Sequence, residues 1–330
     1  MYMVRFGIVG TNWITEAFIK GASLNKDFKL TAVYSRNYEK GKEFADKYSV
    51  DNIFTDINEM AASNVIDAVY IASPNSLHAP QAIIFLNNKK HVISEKAFAS
   101  NEKEALAMIN AAKENNVLIM EAMKITLLPG FEAIKASLSK IGTIRRFTFS
   151  YCQYSSRYDK YKQGEILNAF DPRFSNGSLM DIGVYCIHPM IHLFGTPKSI
   201  KANGLILHNG IDGEGSLIAE YDGMDGILTY SKISNSYIPS EIQGEKGSIL
   251  INTITTQKSI KIVYNNGETE DISVPQVEDD MYYEANEFIN LIKENKLESS
   301  INSHSRSLEV IRVTDNVRKQ IGLVFPADNL

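Results

Sequence analysis

The sequence predicts an α/β fold: a doubly wound parallel sheet in the N-terminal part, then an α+β domain built on one open antiparallel sheet. Three observations carry this reading. Short apolar runs alternate with amphipathic helical segments as far as Ala122, as strands joined by helical crossovers require. Those runs are rich in Val and Ile, which suits strands buried on both faces. After Ala122 the helical periodicity gives way to closely spaced strands separated by Gly and Asn turns. A chain of 330 residues is also long for one average domain and comfortable for two.

In the first part, strands are read at Val4–Val9, Leu30–Ser35, Ala68–Ala72, His91–Ser94 and Val117–Glu121. Helices are read at Trp13–Gly21, Glu39–Tyr48, Ser76–Asn88 and Asn101–Asn115. The second part begins with a helix near Leu128–Ser139, a strand near Thr143–Tyr154 and a helix at Ser178–Phe194. From Lys198 to Val274 the pattern is all strand, with turns at Asn209-Gly210, Asp222-Gly223, Glu245-Lys246-Gly247 and Asn265-Asn266-Gly267. Helices return at Tyr282–Glu294 and Ser305–Ile321. The expected domains are therefore 1–123 and 124–330.

Composition excludes several classes. Hydrophobic residues make up 44% and charged residues 22%, which allows ordinary cores. A net charge of −5 without clustered basic residues offers no electrostatic footprint for nucleic acid. No apolar run approaches the roughly 18 residues that span a bilayer. Cys152 and Cys186 are too few for a disulfide framework and too far apart for a CxxC motif, so a cytoplasmic location is expected. Met1-Tyr2-Met3 leads straight into the first expected strand, so no signal peptide is expected.

The N-terminal strand-to-helix turn reads Gly10-Thr11-Asn12-Trp13-Ile14-Thr15. A glycine here lets backbone approach a dinucleotide's diphosphate, whose charge the helix N-terminus stabilises. Against G-x-G-x-x-G, Asn12 and Thr15 stand at the second and third glycines; Asn tolerates the left-handed backbone next best after Gly. The turn fits a Rossmann nucleotide-binding domain, and a plain strand-to-helix turn is the alternative reading. At the end of the second strand, Ser35-Arg36 replaces the acidic residue that would bind ribose hydroxyls, which favours NADP over NAD. Other strand ends are polar too: Ser73-Pro74-Asn75, Ser94-Glu95-Lys96 and Met120-Glu121-Ala122. In such a sheet the ligand crevice lies at these ends.

Lys96 is placed at the centre of that crevice. A partly desolvated lysine near a cationic nicotinamide suits proton exchange with a carbinol. On the helix beyond Ser178, Asp181, Tyr185, His188 and His192 share one polar stripe, while Ile182, Val184, Ile187, Met190 and Ile191 make the rest apolar. Pro189 removes the hydrogen bond to the Tyr185 carbonyl, so a kink is expected. Two functions compete for the stripe. Either Asp181 orients a substrate hydroxyl while Tyr185 acts with Lys96, or Asp181, His188 and His192 bind a metal. The metal reading is disfavoured, because no H-E-x-x-H arrangement is present and Asp181 lies two turns away.

The segments Ser73-Pro74-Asn75-Ser76-Leu77-His78, His91-Val92-Ile93-Ser94-Glu95-Lys96 and Gly177-Ser178-Leu179-Met180-Asp181-Ile182-Gly183-Val184-Tyr185 occur in this order. With the N-terminal turn, they make the chain resemble the Gfo/Idh/MocA oxidoreductases over nearly its full length. Tyr185, Met120-Glu121-Ala122-Met123 and Arg318-Lys319-Gln320-Ile321-Gly322 look most like the dimeric dihydrodiol dehydrogenase branch. The resemblance implies NAD(P) across the strand ends, Lys96 beside the nicotinamide, and Asp181 and Tyr185 at the substrate. It also implies pairing of subunits through the open sheet. The family's Glu-Lys-Pro is Glu95-Lys96-Ala97 here. A proline takes a cis bond at far less cost than the roughly 2.5–4 kcal/mol of other residues, so Ala97 either bears that cost or relaxes to trans and shifts Lys96. Lys124-Ile125-Thr126 also departs from the aromatic-Thr-Arg common in the branch.

The expected function is an NADP(H)-dependent oxidoreductase, with NAD as the alternative cofactor, acting on a sugar, polyol or cyclic diol. Its expected catalytic residues are Lys96, Asp181 and Tyr185, with His188 also at the substrate and no metal. Its expected cofactor residues are Gly10, Thr11, Asn12, Trp13, Ile14, Ser35, Arg36, Ser73, Pro74, Asn75, His78, Glu95, Lys96 and Glu121. A homodimer and no nucleic-acid or membrane partner are expected. The competing class is an inactive nucleotide-sensing regulator of the same fold, and the loop 154–172 leaves the substrate open.

Overall fold

The computed structural model describes residues 3–329; Met1, Tyr2 and Leu330 lie outside the described residues. By its internal contacts the chain forms two compact units. One comprises Met1–Lys124 with Val277–Leu308, the other Ile125–Gln276 with Glu309–Leu330. The chain therefore divides after Lys124, one residue from the boundary read in the sequence, but residues 277–308 return to the first unit.

The first unit holds six parallel strands: β1 (Val4–Val9), β2 (Phe28–Tyr34), β3 (Asn52–Phe54), β4 (Ala68–Ile71), β5 (His91–Glu95) and β6 (Ile119–Ala122). Their order, β3-β2-β1-β4-β5-β6, is doubly wound, with its switch point between β1 and β4. Crossovers run through α1 (Trp13–Ala22), α2 (Tyr38–Lys47), α3 (Ile57–Ala62), α4 (His78–Asn87) and α5 (Glu102–Asn115). The sequence reading omits β3 and α3. β3 is three half-buried residues long and α3 only six, so neither carries enough periodicity to register.

The core of this unit is aromatic on one side of the sheet. Phe18 of α1 stacks on Tyr70 of β4 with ring centroids 3.8 Å apart, and Phe6 packs against Phe18, Phe28 and Phe288. Phe288 belongs to α9 (Tyr282–Lys293), which docks on α1 where Gly21 has room for no side chain: a Cβ there would lie 2.6 Å from the Tyr282 nitrogen. This packing is what recruits the late helix to the nucleotide unit.

In the second unit, α6 (Pro129–Ser137) precedes β7 (Ile144–Cys152), and α7 (Ser156–Lys162) lies in the loop 154–172. A five-residue π turn, Leu179–Gly183, runs directly into α8 (Val184–Phe194). Then come β8 (Ser199–Ile206), β9 (Asp212–Glu220), β10 (Asp225–Ser231), β11 (Ser240–Gly244), β12 (Gly247–Ile251), β13 (Ile260–Tyr264) and β14 (Thr269–Asp271). The eight strands order as β14-β13-β12-β11-β7-β10-β9-β8.

Gly210, Gly223 and Gly267 turn their hairpins at positive φ, as the Asn-Gly and Asp-Gly signals predict. The sheet is mostly antiparallel, with one refinement. β7 is inserted between β11 and β10 and pairs with β10 in parallel, because it enters the sheet from far upstream rather than through a hairpin. α8 and α10 (His304–Ile321) place Ile187, Met190, Ile191, Val310, Val313 and Val317 in the core of this unit. No helix among the described residues is long and apolar enough to cross a membrane.

Candidate active site

At the switch point, Gly10 follows β1 with φ +108°, and a Cβ there would come within 2.7 Å of the Ala72 carbonyl oxygen beyond β4. Only glycine fits. Thr11 is half-buried. Asn12 departs from the left-handed expectation: its φ of −102° and ψ of 177° are extended, and it caps α1. Its side-chain Oδ1 accepts from Ile14 N at 3.1 Å and Thr15 N at 3.2 Å, while its side-chain Nδ2 donates to the Ala72 carbonyl at 2.9 Å. Asparagine thus satisfies helix donors and ties the start of α1 to the end of β4. Trp13 is 68% exposed, Ile14 half-buried, and Thr15 fully buried where the fingerprint has its third glycine.

Beyond β2, the Ser35 hydroxyl donates to the Asn37 carbonyl at 2.8 Å. Arg36 is exposed, and its guanidinium makes no hydrogen bond or ion pair among the described residues. No acidic side chain lies within two residues of it in sequence.

Around β4, β5 and β6 the predicted residues separate into two kinds. Ser73, Pro74 and Lys96 keep exposed surface, and Lys96 alone does so in the otherwise buried run Val92–Ser100. The other kind is occupied by the protein itself. His78 has no exposed surface; its ring nitrogens lie 2.9 Å from the Ala97 carbonyl and 2.8 Å from the Ser73 carbonyl. Burial pushes its imidazole below the ordinary histidine range. Glu95, 7% exposed, accepts from the Tyr70 hydroxyl at 2.6 Å, and burial raises its carboxyl.

Glu121, 2% exposed, accepts from Phe98 N at 3.2 Å with one oxygen and from the Ser307 hydroxyl at 2.6 Å with the other. Asn75 is buried at 8%. His78 and Glu121, expected at the cofactor, thus both hold the Ala97–Phe98 peptide, directly after the Lys96–Ala97 bond, which is cis.

In the second unit, Asp181 lies on the π turn and Tyr185 on α8, both half-exposed. A π turn takes one more residue per hydrogen-bonded ring than an α turn, so Asp181 does not continue the stripe at strict α spacing. The Tyr185 ring meets Tyr151 edge-on at 5.6 Å. His188, expected at the substrate, is 1% exposed. His192 Nδ1 donates to the His188 carbonyl at 2.8 Å, a bond within the helix. α8 continues through Pro189, which has no N–H to donate to the Tyr185 carbonyl. Among the described residues, no cluster of three or more His, Cys, Asp or Glu side chains is arranged to hold a metal.

Two residues escaped the sequence reading. Lys232, directly after β10, is 3% exposed and donates to Asp181 Oδ2 at 2.5 Å and to the Ala169 carbonyl at 3.1 Å. Asp212 is fully buried at the start of β9; its Oδ2 accepts from Leu179 N at 2.7 Å, which anchors the π turn. Burial pushes the Asp212 carboxyl up to about 6. Neither has a sequence signal, since a lysine after a strand and an aspartate after an Asn-Gly turn both read as solvated.

Residues 4–123 match the family described as oxidoreductase, NAD-binding Rossmann fold, and residues 133–250 match the GFO/IDH/MocA C-terminal domain. The chain is 57% identical to the scyllo-inositol 2-dehydrogenase (NADP(+)) IolU of Bacillus subtilis (strain 168), over 99% of each chain. It is 27% identical to the trans-1,2-dihydrobenzene-1,2-diol dehydrogenase of Mus musculus, over 98% of this chain and 99% of that one. A solved 3-ketoreductase from Actinomadura kijaniata, in complex with NADP and TDP-benzene, shares the fold with a TM-score of 0.86 at 21% identity, covering 97% of this chain and 98% of that chain. Both matched regions, in this order on one chain, and the full-length likeness to a dehydrogenase lead to one conclusion: the chain belongs to the Gfo/Idh/MocA oxidoreductase family.

Proposed function

We propose that this protein oxidises a secondary hydroxyl of an inositol to the ketone with NADP and catalyses the reverse reduction with NADPH. The observation that carries the substrate class is the 57% identity, over 99% of both chains, to a scyllo-inositol 2-dehydrogenase. Cyclic diols are the second choice, because the likeness to a dihydrodiol dehydrogenase is 27%.

Preference for NADP is supported by Arg36, an exposed guanidinium beside no carboxylate, suited to a 2′-phosphate. Gly10, Thr11, Asn12, Trp13 and Ile14 suit the diphosphate, where the Gly10 backbone leaves no room for a side chain. Ser35 belongs with Arg36 at the adenosine ribose, and Ser73, Pro74 and Asn75 flank the dinucleotide at the end of β4. Glu95 supports Lys96 from beneath the cofactor.

Bound NADP would accept the hydride in the oxidation, and bound NADPH would supply it in the reduction. Lys96 and Tyr185 exchange the hydroxyl proton, and Asp181 accepts a hydrogen bond from a substrate hydroxyl and orients it. Lys96 owes its position to a backbone held by His78 and Glu121. A homodimer through the second unit's sheet is supported by the face that carries Leu205, 48% exposed, and Ile218, 51% exposed, on neighbouring β8 and β9. The free thiols Cys152 and Cys186 fit a cytoplasmic location.

Initial rates with NADP and NAD against inositols, hexoses and dihydrodiols test this reading. Reduction of NADP with an inositol at the highest kcat/KM is the expected result. Cofactor binding without turnover across the panel would favour the nucleotide-sensing alternative.

A further inference from the structure

We infer that Lys232 is a positioning residue that holds Asp181 as an ionised, acceptor-only carboxylate at the substrate. The inference rests on the proposed role of Asp181 and adds a residue to it. Three observations support it, all within the second unit.

The first is the pairing. Lys232 Nζ stands 2.5 Å from Asp181 Oδ2, and the lysine side chain is 4% exposed against 30% for the aspartate. The charge pair is therefore lopsided: its cation faces protein and its anion faces outward. A buried ammonium that has lost its water must find other partners. Lys232 has them in the Ala169 carbonyl at 3.1 Å and the Phe170 ring, whose centroid is 5.1 Å away. Asp181 keeps solvent-exposed surface.

The second observation is the geometry under Asp181. The π turn that carries it begins at Leu179, whose N–H donates to Asp212, and Gly183 at its end packs 3.1 Å from the Tyr230 ring when a Cβ is built there. The turn is thus fixed at both ends, and Lys232 fixes the side chain between them. The third is the charge inventory. Asp181 and Asp212 both face Lys232; Tyr230, on β10, lies beside Asp212, and its hydroxyl has no hydrogen-bond partner among the described residues. Lys232 is the cation that acts on Asp212, and it also pairs with Asp181.

A carboxylate beside an ammonium ionises more easily and cannot donate a proton. Asp181 so held selects a substrate that offers a hydroxyl donor, and rejects one that presents an anion at that point.

The test compares Lys232→Met, Lys232→Arg and Asp181→Asn in the full-length enzyme, through pH profiles of kcat/KM and separate kcat and KM values. The expected result for Lys232→Met is a tenfold or greater rise in polyol KM. The acidic limb of kcat/KM should also move up by about 1 to 3 pH units, as for a carboxylate that has lost its cation. Lys232→Arg should restore the limb, and NADP affinity should stay unchanged in both.

A purely structural lysine predicts a lower Tm with limb and KM unmoved, and that result would overturn the inference while leaving the role of Asp181 intact. Undiminished kcat/KM in Asp181→Asn would instead overturn the underlying role. If Lys232→Met does not fold, Lys232→Gln against Lys232→Arg gives the same comparison: a displaced limb in the former alone supports the inference, and equal limbs refute it.

Discussion

The two units present their polar side chains differently. In the nucleotide unit, most predicted ligand residues sit where the doubly wound sheet places them, at strand ends, yet several are already engaged by the protein. His78 bridges two carbonyls, Glu121 holds Phe98 N and Ser307, and Glu95 holds Tyr70. In the second unit, one helix was expected to present four polar groups to a cavity; Asp181, Tyr185 and His192 keep surface, His192 bonds within the helix, and His188 is buried. The difference teaches that a strand end or helix face locates a residue, while its hydrogen-bond partners decide whether it meets ligand or holds another residue in place.

The largest expected effect sharpens this contrast at Lys96. Lys96→Met should lower kcat by about 10²–10⁴, the range for loss of a general acid–base group, with NADP affinity preserved. Cofactor titration beside steady-state rates checks both halves. Retained turnover would remove Lys96 from the chemistry.

The next concerns stability and the second unit. Asp212 ionises near 6 in the folded protein against 3.8 for an ordinary aspartate, because burial penalises its charge. The folded state therefore binds the extra proton, and this contribution is complete below about pH 4 and lost as pH rises to about 6. The loss is on the order of 3 kcal/mol. Asp212→Asn, which still accepts from Leu179 N, should flatten that part of the Tm-versus-pH curve. Identical curves for the two proteins would contradict it.

Arg36→Ala should raise the Kd for NADP by about ten- to a hundredfold, the strength of a charge-assisted hydrogen bond, and leave NAD nearly unaffected. Equal weakening of both cofactors would place Arg36 away from the 2′-phosphate. His78→Ala should lower kcat by about tenfold through displacement of the Lys96–Ala97 segment, since reactive geometry is sensitive to shifts on the order of 1 Å. NADP affinity should hold. A variant weakened in NADP binding alone would make His78 a cofactor contact after all.

The order of elements was legible in the first unit because buried parallel strands and amphipathic helices have distinct periods. Even Asn12, misread as a left-handed residue, stands at the right turn, as both an αL residue and a helix cap favour asparagine. What escaped depends on contacts distant in sequence. Residues 277–308 return to the nucleotide unit through α9 packing on α1, where Gly21 faces Tyr282. The parallel β7–β10 pair joins strands with seven elements between them, and no local pattern encodes it. Lys232 and Asp212 look like surface charges until the fold buries them, and the π turn adds a residue that α periodicity cannot anticipate.

Hydride transfer itself offers the most direct measurement. The purified protein is incubated with NADP and scyllo-inositol deuterated at its ring carbons, and the nicotinamide product is examined by NMR or mass spectrometry. The account predicts NADPH carrying one deuterium at nicotinamide C4, formed faster than the corresponding product from NAD. NADP recovered unreduced, with inositol and dihydrodiols alike, would contradict it.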